Sequence, residues 1–163
     1  MIFLFLEIRK IKLENRLITF DFIMPMFERT ELMIGAEKLE CLKASHVLVV
    51  GLGGVGAYAA EMLCRAGVGK LTLIDSDKVS RSNKNRQLLA LDSTEGKLKT
   101  EVLAERLKDI NKDVELVCLS EYLKDERMLE VLKETKYDYV IDAIDTLSPK
   151  LYLIAHCVKL SIP

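Results

Sequence analysis

The chain has 163 residues, half of them apolar and 30% charged, with 24 basic against 25 acidic side chains and a formal net charge of −1. That is enough apolar material for one domain with its own core, and it excludes a disordered or fibrous chain. The balanced charge excludes a global field for nucleic acid or an acidic membrane, so either partner would have to be met by a local patch.

The opening run, MIFLFLEIRKIKLENRLITFDFI, is apolar for six residues before Glu7, Arg9 and Lys10 interrupt it. That is too soon for the apolar stretch of a signal peptide or for a membrane span. Residues 1–25 are expected to be an extension, disordered or spurious, with Met24 or Met26 as an equally good start, and residues 26–163 to form the domain. The four cysteines, Cys41, Cys64, Cys118 and Cys157, form no C-x-x-C pair. They are expected to be free thiols in a reducing cytoplasm, with no membrane partner.

From Glu31 to Leu42, apolar Leu32, Met33, Ala36, Leu39 and Leu42 recur at helical spacing after Arg29 and Thr30, and predict a first helix. HVLVV is a continuous β-branched run, the pattern of a strand buried on both faces of a parallel sheet. The glycine turn GLGGVG follows, then a helical stretch AYAAEMLCRA closed by Gly67, then a second strand KLTLID. Residues 76–96 are polar and irregular, and a loop of that length is commonly functional. A helix through Leu98, Val102, Leu103, Leu107 and Ile110, a third strand VELVCL, a helix near 125–133, a fourth strand YDYVIDAID and a helix from about Pro149 to Lys159 complete the pattern.

Alternating strands and helices predict an α/β fold, Rossmann-like and doubly wound around a mainly parallel sheet. In that topology the fourth strand returns to the free side of the first, so the ends of VLVVG and YVIDAID become neighbours at the switch point. Asp142 and Asp145 are therefore expected to face the glycine turn.

Gly51, Gly53 and Gly56 satisfy G-x-G-x-x-G, and Gly54 adds a fourth glycine. After a strand and before a helix, such a turn lets the backbone approach a phosphate or ribose and presents the positive end of the helix. Asp75, ending the next strand, suits ribose hydroxyls. To this point a dinucleotide for redox chemistry and a single nucleotide to be cleaved are equally served. Phosphoryl or nucleotidyl transfer needs cations and a metal ligand around the developing charge. Asn83 and Arg86 in NKNRQ, Lys99 at the start of a helix, and Asp145 across the switch point provide such a set. An NAD-dependent oxidoreductase, the alternative, leaves these four without a task.

GLGGVG, LIDSD, SNKNRQ, Lys99 and DAID occur in an order and spacing similar to the ubiquitin-activating-type adenylation superfamily, which includes the molybdopterin and thiamine sulfur-carrier adenylyltransferases. The resemblance runs from roughly Phe27 to Pro163. Within it, FERTELMIG and VIDAIDTLSPKLYLIAHCVKLSIP look most like the tRNA threonylcarbamoyladenosine dehydratases, which cyclise that modified adenosine at the expense of ATP. The resemblance implies ATP and magnesium. Gly51, Gly53, Gly54 and Gly56 would lie under the nucleotide, and Asp75 would hold the ribose, with Asp77 as its alternative. Asn83, Arg86 and Lys99 would hold the triphosphate, and Asp145, in preference to Asp142, the metal. It also implies that Arg29 reaches into a partner subunit's site, hence a homodimer, and that tRNA is the acceptor. A sulfur-carrier adenylyltransferase with a sulfur-transfer partner protein, and a nucleotide-binding remnant without turnover, remain alternatives. The family pattern continues beyond KLSIP, which implies a domain incomplete at its C-terminus. No RNA-binding motif is visible, no cysteine falls where a nucleophile would be needed, and His46 and His156 are expected to be structural.

Overall fold

The computed structural model describes residues 26–163, and the extension expected over residues 1–25 lies outside them. In chain order the elements are α1 (Glu28–Ile34), α2 (Ala36–Ala44), β1 (His46–Val50), α3 (Gly56–Ala66), β2 (Lys70–Ile74), α4 (Lys99–Ile110), β3 (Glu115–Leu119), α5 (Asp125–Glu134), β4 (Tyr139–Asp142) and α6 (Leu147–Leu160). The four strands form one parallel sheet in the order β3-β2-β1-β4. Val50 pairs with both Ile74 and Asp142, so β1, β2 and β4 end level with one another. This is the doubly wound Rossmann-like topology, with the switch point between β1 and β4.

All five residues of β1 are buried, because both faces of the sheet are covered. Alternation sorts them: Val47 and Val49 point, with Leu71 and Leu73, into a core that includes Ala57, Ala60 and Cys64 of α3 and Leu103 and Leu107 of α4. Leu48, Val50 and Ile74 point the other way, onto Met128, Val131 and Leu132 of α5 and Leu153 and Cys157 of α6. The period of two in a strand fixes this division. Between α3 and α4, the buried carboxylate of Glu61 takes Arg106 Nε at 2.5 Å and an Arg65 guanidinium nitrogen at 2.8 Å. Arg106 above all holds this carboxyl below its usual range.

Two expectations are corrected. The helix expected over 31–42 is two helices, because Gly35 adopts a φ of +86° that breaks the hydrogen-bond ladder between them. The fourth strand stops at Asp142 rather than continuing to Asp145: Asp142 Oδ1 accepts from the Ile144 N–H at 3.0 Å and turns the chain out of the sheet. In consequence α6 begins earlier than expected, and Pro149 sits in its first turn, where a missing N–H leaves nothing unpaired.

The long segment after β2 is ordered. Lys78 and Leu98 form an antiparallel bridge, the Val79 N–H donates to Lys97 O at 2.8 Å, and Leu89 and Ala90 anchor the middle of the segment in the core. Lys84 pairs with Asp92 and Glu95 on its outer side.

Both histidines have structural partners. His46 is buried with Nε2 at 2.8 Å from Thr72 Oγ1, and burial pushes its pKa down; His156 Nδ1 lies 2.9 Å from Tyr152 O. The four cysteines are free, and burial raises the pKa of Cys64, Cys118 and Cys157, the opposite of what a nucleophilic thiol needs. Among the described residues no helix is long and apolar enough to cross a membrane.

Candidate nucleotide site

A cleft of about 290 Å³ opens over the C-terminal ends of the strands, where a doubly wound sheet places its ligands. Its floor is the turn after β1. Gly51 has a φ of +90°, and a Cβ there would lie 2.6 Å from Ala143 O of the segment after β4. A Cβ on Gly56 would lie 1.8 Å from Gly51 O. Both glycines are therefore required by the chain's own backbone. Gly53 differs: a Cβ there would meet only Gln87 Nε2, at 3.7 Å, so its bareness keeps the floor open to a ligand. Gly54 is exposed beneath Arg86, while Gly56 is buried; neither lines the cleft. Gly56→Ala is expected to lower unfolding stability by about 1–3 kcal/mol through forced backbone displacement. Urea unfolding would measure this, with Gly53→Ala remaining close to the parent.

Asp75 closes the end of β2. Its Oδ2 accepts from the Leu52 N–H and its Oδ1 from the Asp77 N–H, both at 2.7 Å, so one carboxylate ties the glycine turn to the start of the long segment. Lys99, the first residue of α4, is buried and reaches the cleft as expected, but its ammonium already has partners: Asp77 Oδ2 at 2.7 Å and Asp75 Oδ2 at 3.8 Å. Asn83 and Arg86 also line the cleft, carried by the 3-10 turn at Arg81–Asn83 and the residues after it. Asn83 Oδ1 accepts from the Ser80 N–H at 3.1 Å, which orients its amide. Arg86 is exposed, and Nη1 donates to Ser82 O at 3.2 Å and Asn85 Oδ1 at 3.0 Å. Among the described residues it forms no ion pair.

Asp145 lines the same cleft as Arg86, with Oδ1 accepting from Thr146 Oγ1 at 3.2 Å. Asp142 does not face the cleft, contrary to expectation. It is engaged by the Ile144 N–H and by Lys150 Nζ at 2.7 Å, which hold the β4–α6 turn. Arg29 is exposed on α1, away from the cleft wall. Sequence reasoning missed Gln87, Tyr122, Pro149 and Glu121, all of which line the cleft. Glu121 and Tyr122 follow β3 directly, so the rule that ligands sit at strand C-termini would have found them.

Among the described residues no three His, Cys, Asp or Glu side chains converge as a metal cage. Asp145, with one oxygen lacking a protein hydrogen-bond partner among those residues, suits a hard cation held by a single carboxylate and by ligand phosphates, the usual situation of magnesium.

Residues 27–163 match the ThiF family. The chain belongs to the ThiF family. This ThiF-family chain is 45% identical over 141 residues to the tRNA threonylcarbamoyladenosine dehydratase of Bacillus subtilis (strain 168), covering 86% of this chain and 55% of that protein. It is 40% identical over 124 residues to the molybdopterin-synthase adenylyltransferase of Escherichia coli (strain K12), covering 76% and 50%. The crystal structure of E. coli tRNA N6-threonylcarbamoyladenosine dehydratase, TcdA, in complex with ATP superposes with a TM-score of 0.82 at 40% identity, over 85% of this chain and 56% of that one. The chain spans about half the length of the curated relatives it matches. The doubly wound Rossmann-like fold expected from the sequence is thus shared with these relatives.

Proposed function

We propose that the cleft binds ATP and magnesium and that the protein activates a carboxylate by adenylation, its acceptor being threonylcarbamoyladenosine in tRNA, which it cyclises with loss of water. The observation that carries this reading is the meeting of Gly53, Arg86 and Asp145, from three separate parts of the chain, around one cleft. The likeness to a dehydratase solved with ATP supports it.

Attack by one anion on another needs positioning and charge neutralisation above all. The glycine turn, through Gly51 and Gly53, receives the phosphates, and Asp75, with Asp77 beside it, receives the ribose. Asn83, Arg86 and Lys99 face the triphosphate, with Arg86 nearest the α-phosphate. Asp145 holds magnesium, which when bound neutralises phosphate charge and stabilises departing pyrophosphate. The need is evident from the walls, where Asp75, Asp77, Glu121 and Asp145 outnumber Arg86 and Lys99. The substrate carboxylate oxygen bonds to the α-phosphorus, the bond to the β-phosphate bridge breaks, and an acyl adenylate forms. A nucleophile within the same threonylcarbamoyl group then attacks the activated carbonyl and AMP departs. No protein nucleophile takes part, in keeping with the raised thiol pKa values. The working form is a cytoplasmic homodimer in which Arg29 reaches the cleft of the second copy.

A second reading, adenylation of a sulfur-carrier protein with a sulfur-transfer partner, is favoured by the likeness to the molybdopterin-synthase adenylyltransferase. Calorimetric titration with ATP–magnesium and with NAD, followed by ATP–pyrophosphate exchange in the presence of modified tRNA or of a carrier protein, separates these readings. Binding of ATP and tRNA-stimulated exchange are expected. Binding of NAD alone would return the site to redox chemistry, and binding of ATP without exchange on any acceptor would identify a non-catalytic remnant.

A further inference from the structure

The strand order places β2 between β3 and β1, so the residues after β3 stand two strand spacings, about 10 Å, from the glycine turn. With phosphates over that turn and ribose at Asp75, the base of a bound nucleotide falls toward the end of β3. The cleft wall there is Glu121, Tyr122 and Leu123.

Glu121 is fixed in place. Its Oε1 accepts from Arg127 Nε at 3.2 Å and Nη2 at 2.9 Å, and its Oε2 from Nε at 3.2 Å. The same guanidinium donates to Glu130 at 3.2 Å and Glu134 at 2.7 Å, and the three carboxylates raise its pKa further above an already high value. Arg127 is thus a permanently charged clamp, shared along α5, that holds one carboxylate at the cleft wall. A carboxylate offers acceptors only and retains lone pairs beyond those the clamp uses. Tyr122 beside it is 57% exposed and presents a ring on which any base can stack.

We infer that Glu121, clamped by Arg127, reads the base of the nucleotide by accepting a hydrogen bond from the 6-amino group of adenine and repelling the carbonyl of a 6-oxo purine. The inference rests on the ATP reading of the cleft. Its physical basis is that a site built to receive an N–H rejects the analogue that lacks it, because the acceptor is then left facing another acceptor. Tyr122 contributes affinity without choosing between purines.

The test is a calorimetric titration of the parent, Glu121→Gln, Glu121→Ala and Tyr122→Leu with ATP and with ITP, both in magnesium. The parent is expected to prefer ATP by about ten- to hundredfold, the range of one hydrogen bond to a charged group. In Glu121→Gln, whose amide can turn its N–H toward a carbonyl, and in Glu121→Ala, the preference is expected to shrink to within about threefold while ATP still binds. Tyr122→Leu should weaken both nucleotides and keep their ratio. A parent that binds both purines equally, or a preference that survives in both Glu121 variants, would overturn the inference and leave the ATP site standing. A parent that binds neither purine nucleotide would overturn the ATP reading and this inference together.

Discussion

Replacing Arg86 by alanine is expected to lower ATP–pyrophosphate exchange by about 10²–10³-fold, the usual penalty for removing one preorganised charged group from a site where charge develops. Arg86 is exposed, and among the described residues its side-chain hydrogen bonds go only to Ser82 O and Asn85 Oδ1 on its own segment. Its loss should therefore change folding stability by no more than about 0.5 kcal/mol. That separation makes the variant informative: exchange collapses and the thermal melt stays where it was. Lys99 offers no such separation, because its buried ammonium neutralises Asp77 and stands close to Asp75. Removing it would leave two carboxylates facing each other in the fold as well as weakening the site. Arg86→Lys should recover part of the exchange, since it keeps the charge and loses the planar fork. Unchanged exchange in Arg86→Ala would remove the principal cation from the scheme.

Asp145→Ala is expected to reduce exchange on the same scale, about 10²–10³-fold, with a different signature. A residue that holds the cation should, when weakened to Asn, raise the magnesium concentration needed for half-maximal exchange. Arg86→Ala should leave that requirement near the parent value. Asp145 is exposed and its one side-chain hydrogen bond among the described residues, from Thr146 Oγ1, is local, so the variant should fold normally. Asp142→Ala supplies the contrast. It breaks the ion pair to Lys150 and the turn at Ile144, and is expected to act on stability, seen as an earlier urea transition, before it acts on nucleotide binding. A magnesium requirement that moves in Asp142→Ala and stays fixed in Asp145→Asn would reverse the two assignments.

The sheet was legible because each strand is a short apolar run set off by glycine or polar residues, and the alternation with helices admits one sensible winding. The proximity of the glycine turn to the end of β4 followed from that winding alone, and Gly51 packed against Ala143 is its physical expression. What escaped were features that depend on a side chain's choice of partner. Gly35 sits in a sequence whose helical spacing continues through it, so only its left-handed backbone reveals the break. Asp142 and Asp145 are three residues apart on an apparent strand, and nothing in the sequence says that the first will bend the chain and leave the second in the cleft. The pairing of Lys99 with Asp77 joins a helix start to a loop residue 22 positions earlier, a contact set by the antiparallel bridge at Lys78 and Leu98. Glu121 carries no motif: its backbone place follows from the end of β3, but the fixing of its carboxylate comes from Arg127, in the first turn of the next helix.

The central position of β1 also bears on the order in which the molecule is assembled. The His46 N–H is bonded to Asp138 across 92 residues of chain, and Val50 pairs with Asp142 at the other end of the same two strands. A ribosome must therefore release most of this sequence before the part of the cleft that follows β4 exists. The glycine turn, β2 and α3 can collapse early on local contacts, while β4 and α6 must close a long loop to join them, a slow step by its entropy. A transient detachment of the α5–β4–α6 layer would abolish Asp145 and the support of Gly51 while the α3–α4 face stayed intact, so hydrogen exchange at Val140 and Ala143 should report on occupancy of the cleft more sensitively than exchange in α3.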